Sequence, residues 1–302
     1  MNNIIEIKNL KKYFKDTKAV DDLSFTVKEG ELFAFLGVNG AGKSTTINIM
    51  CSTLSKDSGK VMINGYDIDR HASKITRDVG VVFQTSVLDK TLSVYDNLEH
   101  RAALYGIVGN NFKTRIEELA TMLDFKDFIK RPVGKLSGGQ KRRIDIARAL
   151  IHSPKILILD EPTTGLDPQT RALLWKVISN LQKNEGLTVF LTTHYMEEVA
   201  DADYVIILDN GKIAAEGTPL DLKNRYTGDY INLYGISESD AKSLGVHYKE
   251  ISGGYRIFVK STGDISGLIA SNPSLFADCE VTKGKMDDVF LAVTGKKLTE
   301  EK

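Results

Sequence analysis

With 302 residues and equal numbers of basic and acidic side chains, 40 of each, the chain is long enough for one large domain or two and carries no net charge. Balanced charge excludes the positive footprint with which proteins bind DNA or anionic membranes, so we expect no nucleic-acid partner. Two cysteines exclude a disulfide framework, and no apolar run approaches the roughly 20 residues that span a bilayer, so we expect a cytoplasmic protein.

The N-terminal segments alternate between apolar and polar residues. Residues 4–8 (IIEIK) and 23–27 (LSFTV) both repeat with a period of two, which predicts strands of an antiparallel sheet. Tyr13 lies between them in a lysine-rich segment. Its ring could pack on the edge of the sheet or stack on a nucleotide base, and the local sequence leaves both alternatives open.

Residues 37–45 read GVNGAGKST and match the pattern G-x-x-x-x-G-K-[ST]. The apolar run 32–36 predicts a buried strand before this loop, and residues 45–50 predict a helix after it. Glycines allow backbone N–H groups to surround the β- and γ-phosphates of a nucleotide, and the helix N-terminus adds partial positive charge. Lys43 is expected to add a full charge, and Ser44 a hydroxyl for Mg²⁺. The residues expected to bind the nucleotide are Gly37, Val38, Asn39, Gly40, Ala41, Gly42, Lys43, Ser44 and Thr45.

Two further strands are expected in the first hundred residues. Residues 60–65 predict a strand and a turn, and residues 79–83 predict a short buried strand. Gln84 follows the second strand and opens a polar loop. A glutamine in this position can reach a ligand, but the general polarity of loops explains it equally well.

A mostly helical insertion is expected over residues 91–131. Ser93 with Asp96 resembles a capping box, which predicts the start of a helix. Residues 136–140, LSGGQ, follow and lead into a helix at 141–151. Ser-Gly-Gly at a helix start leaves N–H groups unpaired, which predicts a second anion site. The side chains expected on the solvent face of this helix are Arg142, Arg143 and Arg148.

Two carboxylates end a buried strand at residues 156–161, ILILDE. Burying them is costly unless they bind a metal or transfer protons. We therefore expect Asp160 to hold Mg²⁺ and Glu161 to take a proton from an attacking water. Asp167 is expected to cap the helix that begins at Pro168.

The remaining segments complete the predicted fold. Residues 187–193 predict a buried strand followed by His194, although a lone histidine is usually structural. Asn210 and Gly211 predict the two-residue turn of a hairpin. From residue 229 onwards, short segments in the order β-α-β-β-α-β predict a small α/β sandwich. This accessory domain is expected over residues 229–302.

Taken in order, these motifs resemble those of the ABC ATPases. LSGGQ resembles the family's signature sequence, residues 156–161 its Walker B strand, and residues 162–168 its D-loop, in which Asp167 would face a partner cassette. The resemblance covers residues 1–225. It implies an α/β fold, a P-loop NTPase cassette with a mixed-sheet core, an antiparallel β edge and a helical subdomain at residues 91–150.

The same resemblance implies roles for individual residues. Tyr13 resembles the family's adenine-stacking aromatic, and Gln84 its Q-loop glutamine, near Mg²⁺ and the attacking water. His194 resembles the switch histidine, which contacts the γ-phosphate. Ser137 and Gly139 would contact the γ-phosphate that the opposite protomer binds.

The implied function is that of the ATP-hydrolysing subunit of an ABC transporter. ATP with Mg²⁺ would be hydrolysed between two copies paired head to tail, and the catalytic residues would be Glu161, His194, Gln84 and Lys43. Closing and opening of the dimer would drive a separate polytopic membrane subunit on the inner face of the cell membrane. That subunit would be contacted through residues 84–98.

The C-terminal tail narrows the implied transport class. Residues 286–295, MDDVFLAVTG, resemble the tail of daunorubicin-resistance-type exporters, which implies export of a drug, antibiotic or other small molecule. The alternative is a soluble ABC ATPase of translation or DNA maintenance, but the single cassette and the absence of coiled-coil heptads count against it. A regulatory module without turnover is a third alternative, against which the presence of Glu161 and His194 counts.

Overall fold

The computed structural model describes residues 2–260 and 262–296. Over these residues the chain forms three sheets with helices packed on them, and none of those helices is long and apolar enough to cross a membrane. The N-terminal elements are β1 (Asn3–Phe14), β2 (Thr17–Lys28), β3 (Leu32–Gly37), α1 (Lys43–Met50), β4 (Ser58–Ile63), β5 (Tyr66–Asp67), α2 (Ile68–Asp78), β6 (Val79–Val82), α3 (Val94–Ala103), α4 (Gly109–Met122) and α5 (Gly138–Leu150). The elements that follow are β7 (Ile156–Asp160), α6 (Pro168–Glu185), β8 (Thr188–Thr193), α7 (Met196–Val199), β9 (Tyr204–Asp209), β10 (Lys212–Gly217), α8 (Pro219–Tyr226), β11 (Asp229–Tyr234), α9 (Glu238–Ser243), β12 (Tyr248–Ile251), β13 (Gly254–Val259), α10 (Thr262–Ser271), β14 (Cys279–Thr282) and α11 (Met286–Thr294).

The N-terminal sheet is antiparallel, as the alternating pattern predicts. Its strands lie in the order β2-β1-β4-β5. Ile5 and Ile7 of β1 pair with Val27 and Phe25 of β2, so their side chains share one face. That face is buried in a core that also contains Ile47 of α1. The sheet therefore supports the helix that follows the phosphate loop.

The central sheet has the order β10-β9-β3-β8-β7-β6. All of its strands except the edge strand β10 run parallel, and β3, β7 and β8 are buried along their whole length. The carboxyl ends of parallel strands meet at one edge of a sheet. The phosphate loop follows β3 at this edge, and Gln84, Glu161 and His194 follow β6, β7 and β8. The predicted hairpin turn of Asn210 and Gly211 is confirmed, with φ values of 48° and 77°.

Helices α3, α4 and α5 form the predicted helical insertion. The capping box is confirmed, because Asp96 N–H donates to Ser93 Oγ at 3.1 Å and Ser93 N–H donates to the Asp96 carboxylate. The predicted solvent-facing position of Arg142 on α5 is wrong, since this side chain is only 7% exposed. Arg148 is also turned inward and donates to the carbonyl oxygen of Val81 at 3.1 Å. Both guanidinium groups bind main-chain oxygens in place of water.

The C-terminal sheet is antiparallel, with the order β12-β13-β11-β14. Together with α9 and α10 it confirms the predicted β-α-β-β-α-β arrangement. Ile231, Leu233 and Ile257 from the sheet pack with Ala241 and Ile265 from the two helices. This part of the chain therefore has a hydrophobic core of its own.

The last helix, α11, leaves that sheet and packs on the cassette. Met286, Val289 and Phe290 are buried in the same hydrophobic core as Leu222 of α8. The prediction that residues 229–302 form one accessory domain is therefore wrong for this helix. Because α11 contributes to the cassette core, it belongs structurally with the ATPase part of the chain.

The segments that lead into and out of the C-terminal sheet lie side by side. Gly284 packs so closely against Thr227 and Gly228 that a side chain at this position would clash with both. Lys283 Nζ lies 3.4 Å from Asp229 Oδ2 across the same junction. We call these five residues the neck.

Phe290→Ala tests the contribution of α11 to the cassette. Phe290 is 1% exposed, and truncating a buried phenylalanine costs about 3–5 kcal/mol, so we expect a loss of that size in the free energy of unfolding. Leu291→Ala is the matched control, because Leu291 is the next residue and 41% exposed. Urea titration of both variants provides the measurement. Equal, small losses for the two would contradict the packing described for α11.

Candidate active site

The phosphate loop is fixed from behind by two neighbouring segments. Gly42 has a φ of 107°, which residues with a Cβ rarely adopt, and a Cβ there would clash with the carbonyl oxygen of Ala19 in β2. The N–H of Gly211, in the β9–β10 turn, donates to the carbonyl oxygen of Ala41 at 3.1 Å. The loop conformation is therefore set before any ligand arrives, and α1 begins within it at Lys43.

Lys43 turns back over the loop. Its Nζ donates to the carbonyl oxygens of Gly37 at 2.7 Å and Val38 at 3.3 Å, and it lies 3.8 Å from Glu161 Oε1. Burial lowers the pKa of Lys43, and the negative charges of Glu161 and Asp160 oppose that shift. The ammonium group is thus held beside the loop within reach of a phosphate.

The Glu161 carboxylate lies where three side chains from segments that follow β3, β6 and β8 converge, namely Lys43, Gln84 and His194. Gln84 Nε2 donates to Glu161 Oε2 at 3.0 Å, and His194 Nδ1 lies 3.4 Å from Oε1. Among the described residues, that histidine nitrogen is buried without a hydrogen-bond partner. The carboxylate is 8% exposed, so it is close to water without being surrounded by it. A carboxylate in this setting can accept a proton from a water bound in front of it.

The backbone of Glu161 is strained. Its φ is 45°, in the left-handed region that costs a non-glycine residue about 1–2 kcal/mol. Two contacts hold this conformation. Glu161 N–H donates to the carbonyl oxygen of Thr192 at 3.0 Å, and Arg142 Nη2 donates to the carbonyl oxygen of Glu161 at 2.9 Å. This backbone conformation directs the Glu161 side chain toward Lys43, so the strain is accepted where it places a functional group.

Asp160 is placed by strand register. It pairs with Thr192 between the parallel strands β7 and β8, and Thr192 Oγ1 donates to Asp160 Oδ1 at 2.6 Å. The carboxylate is 6% exposed. A carboxylate is a donor type that suits Mg²⁺.

A cavity of about 380 Å³ brings most of these groups together. Its lining includes the phosphate loop, Gln84 and Glu161, together with Phe14, Thr17 and Ala19 from the N-terminal sheet. A larger cavity of about 730 Å³ lies between α6 and α7 and contains none of the predicted site residues. The smaller cavity is therefore the candidate nucleotide site.

Phe14, and not Tyr13, is the aromatic residue at this cavity. The Tyr13 hydroxyl donates to Asp21 Oδ1 at 2.6 Å, and the ammonium group of Lys18 lies 5.6 Å from its ring centroid. The strand contains a β-bulge between Lys12 and Tyr13, which changes the face on which the following residue points. The lining of this cavity makes Phe14, which is 46% exposed, a second candidate for stacking, and the role of Tyr13 stays a prediction.

The signature residues lie outside this cavity. Ser137 caps α5, where its Oγ accepts the N–H of Gln140 at 3.2 Å. Gly139 packs against Asp167 and Thr170, and Asp167 caps α6 by accepting the N–H of Thr170 at 2.9 Å. The predicted cap at Asp167 is confirmed. Ser137, Gly139 and Asp167 form a second group of predicted residues that the chain does not bring to its own phosphate loop.

Comparison with known proteins identifies the family. The sequence model of the family described as "ABC transporter" matches residues 20–164. The Nod factor export ATP-binding protein I of Ralstonia nicotianae is 38% identical over 98% of this chain and 95% of its own length. The daunorubicin resistance ATP-binding protein of Streptomyces coeruleorubidus is 33% identical over 96% of each chain. The chain is an ABC transporter ATPase.

A solved structure extends this result to architecture. A dimeric ATP-binding cassette in a post-hydrolysis state, bound to ADP and Pi, superposes with a TM-score of 0.66 at 29% identity, over 71% of this chain and 98% of that one. The predicted α/β cassette fold and ATPase activity are therefore confirmed. ABC ATPase subunits dimerise, bind ATP and work with separate membrane subunits.

Sequence reasoning missed three residues that shape the ABC ATPase site, namely Phe14, Arg142 and Thr192. A signal for Arg142 was present, because it lies one and two helical turns before Ile146 and Ala149 on the same apolar stripe. No sequence pattern marked Phe14, because the alternation of apolar and polar residues does not show the bulge that redirects its side chain. Thr192 is opposite Asp160 only because of the register of two strands that are distant in sequence.

Phe14→Ala tests which ring contacts the adenine. Removing an aromatic that stacks on a base costs about 1–3 kcal/mol, so we expect weaker ATP binding by that amount. Tyr13→Ala is the matched neighbour and should change the affinity little. Equilibrium titration with a fluorescent ATP analogue measures both. A larger loss in Tyr13→Ala than in Phe14→Ala would return the stacking role to Tyr13.

Proposed function

We propose that this ABC ATPase powers the export of a small molecule through a separate membrane subunit. The observation that carries the proposal is the cluster around the Glu161 carboxylate, in which Gln84, His194 and Lys43 lie within 3.0–3.8 Å beside the phosphate loop. Such a site couples the presence of a γ-phosphate to the position of a general base. Nucleotide hydrolysis can therefore be linked to movement of the loop at Gln84.

In the proposed reaction, the chain's own side chains divide the work. Glu161 accepts the proton of the attacking water, and Lys43 stabilises the charge that develops on the transferred phosphoryl oxygens. His194, whose Nδ1 has no other partner among the described residues, turns to the γ-phosphate when ATP is bound. Gln84 holds the water against Glu161, to which it already donates a hydrogen bond.

Magnesium fits the oxygen donors at this sheet edge, where Ser44 and Gln84 line the cavity and Asp160 ends the strand β7. Ser44, Gln84 and Asp160 supply a hydroxyl, an amide oxygen and a carboxylate, and Mg²⁺ prefers oxygen ligands together with substrate phosphates. An ion held by these residues would supply positive charge to the nucleotide phosphates. The hydrogen bond from Thr192 to Asp160 Oδ1 leaves the other carboxylate oxygen for this role.

A head-to-tail pair of chains completes the proposed site. Ser137 and Gly139 lie at the start of α5, away from the cavity that the same chain forms, so a second copy must bring its own signature to this phosphate loop. The N–H groups at a helix start suit a γ-phosphate. Asp167, next to Gly139, would lie at the boundary between the two copies.

The proposed membrane partner contacts the segment from Gln84 to Leu98. Within it, Val87 is an apolar side chain that is 54% exposed, in the same loop as Gln84, which donates a hydrogen bond to Glu161. The partner is a polytopic subunit, and the ATPase would lie at the inner face of the cell membrane.

A drug, an antibiotic or another small molecule as cargo is supported by relatives named for daunorubicin resistance and Nod factor export, which match nearly the whole chain.

The alternative, a soluble ABC ATPase acting in translation or DNA maintenance, is not favoured by these relatives. Co-purification from detergent-solubilised cells distinguishes the two. We expect a polytopic membrane protein in stoichiometric amount, identified by mass spectrometry of the tagged complex. Ribosomal or DNA-repair proteins without a membrane protein would overturn the transport proposal and leave the ATPase activity intact.

Glu161→Gln tests the assignment of the general base. The amide keeps the shape of the side chain but cannot take a proton, so we expect turnover to fall by about 10²–10⁴-fold while ATP still binds. Because hydrolysis opens the proposed dimer, this variant should accumulate as an ATP-bound dimer in size-exclusion chromatography. Glu197→Gln is the control, since Glu197 lies on α7 with a side chain 86% exposed. Undiminished hydrolysis in Glu161→Gln would refute the assignment.

A further inference from the structure

Arg142 connects the signature helix to the catalytic segments of its own chain. Its guanidinium donates four hydrogen bonds to main-chain carbonyl oxygens. Three acceptors lie in the segment around the general base, namely Asp160 at 3.1 Å, Glu161 at 2.9 Å and Pro162 at 2.6 Å. The fourth is Phe83 at 2.6 Å, the residue before Gln84. One buried cation thus joins two loops of the active site.

A second buried charge on the same helix face reinforces this connection. Asp145 lies one turn after Arg142, is 3% exposed and accepts a hydrogen bond from Ser86 Oγ at 3.0 Å. Ser86 follows Gln84 in the same loop. Burial raises the pKa of Asp145, and the Ser86 hydrogen bond and the Arg142 charge oppose that rise. Both ends of the loop around Gln84 are therefore tied to α5.

Helix α5 is a rigid connection between these bonds and the signature. Ser137 is the N-cap of α5, and Arg142 follows five residues later, which corresponds to about 7.5 Å along a helix. A displacement of the signature therefore moves Arg142 with it. Because Arg142 binds the carbonyl oxygen of Glu161, whose φ of 45° must be held by its contacts, that displacement acts on the general base.

We propose that Arg142 is a positioning residue, which transmits contact between Ser137–Gly139 and a partner copy's nucleotide to Glu161 and Gln84. The inference rests on the proposed head-to-tail dimer. In it, each chain senses the nucleotide of the other through its own signature helix, and the base takes its working position only when that contact forms. Arg142 contacts neither nucleotide, and it acts only through main-chain carbonyl groups.

Arg142→Lys and Arg142→Gln test this inference in the full chain. Lysine keeps the charge but lacks the planar fork that binds two segments at once, and glutamine lacks both. Neither variant should therefore transmit the signature contact to Glu161 and Gln84. We expect kcat per ATP-binding site to fall on the order of 10²-fold in both, which is the cost of a misplaced catalytic group. The KM for ATP should change less than about threefold, because the phosphate loop is untouched. Combined with Glu161→Gln, each variant should still form the ATP-bound dimer.

Arg143 provides the matched control. It is the next residue on the same helix and binds the carbonyl oxygen and the carboxylate of Asp124, away from the cavity. Arg143→Lys should therefore keep kcat near that of the unsubstituted chain. If the unsubstituted chain hydrolyses ATP and Arg142→Lys has a normal kcat, this inference is overturned and the proposed function stands. The same holds if kcat falls equally in Arg143→Lys and Arg142→Lys. No hydrolysis by the unsubstituted chain would contradict the proposed function as well.

Discussion

Charges that are removed from water must find partners inside the protein, and this requirement organises the cassette at the end of β7. Asp160 and Glu161 are almost fully buried there, with Lys43 and Arg142 as the buried cations nearest to them. Neither carboxylate depends on an ion pair alone, because Thr192 donates a hydrogen bond to Asp160 and Gln84 donates one to Glu161. The result is a cluster in which every charge is held by neutral groups and can change partners when a phosphate enters.

Much of this site could be predicted from short sequence patterns. The phosphate loop, the strand that ends in Asp160 and Glu161, and the caps at Ser93, Ser137 and Asp167 each depend on a few consecutive residues, and local patterns report such features well. The parallel order of β3, β8 and β7 is a consequence of buried apolar strands that alternate with helices.

What could not be predicted depends on contacts between distant segments. The rule that charged residues face solvent fails for Arg142, because α5 is covered on nearly all sides and offers the guanidinium carbonyl oxygens in place of water. The choice between Tyr13 and Phe14 depends on a bulge whose position is set by the partner strand. The return of α11 to the cassette crosses a whole intervening sheet, and no local pattern in residues 286–294 reports which core it joins.

The neck gives the C-terminal sheet the character of a module inserted into a continuous cassette. Gly284 touches Thr227 and Gly228, so the two ends of the intervening segment lie together. Joining such a segment to the cassette therefore costs little additional loop-closure entropy. A unit with its own core and adjoining ends can be gained, lost or exchanged in evolution without separating α8 from α11. The sequences of the ATPase part and of the C-terminal sheet can therefore diverge at different rates. The ATPase part is constrained by its catalytic chemistry, and the C-terminal sheet by its role in each transporter.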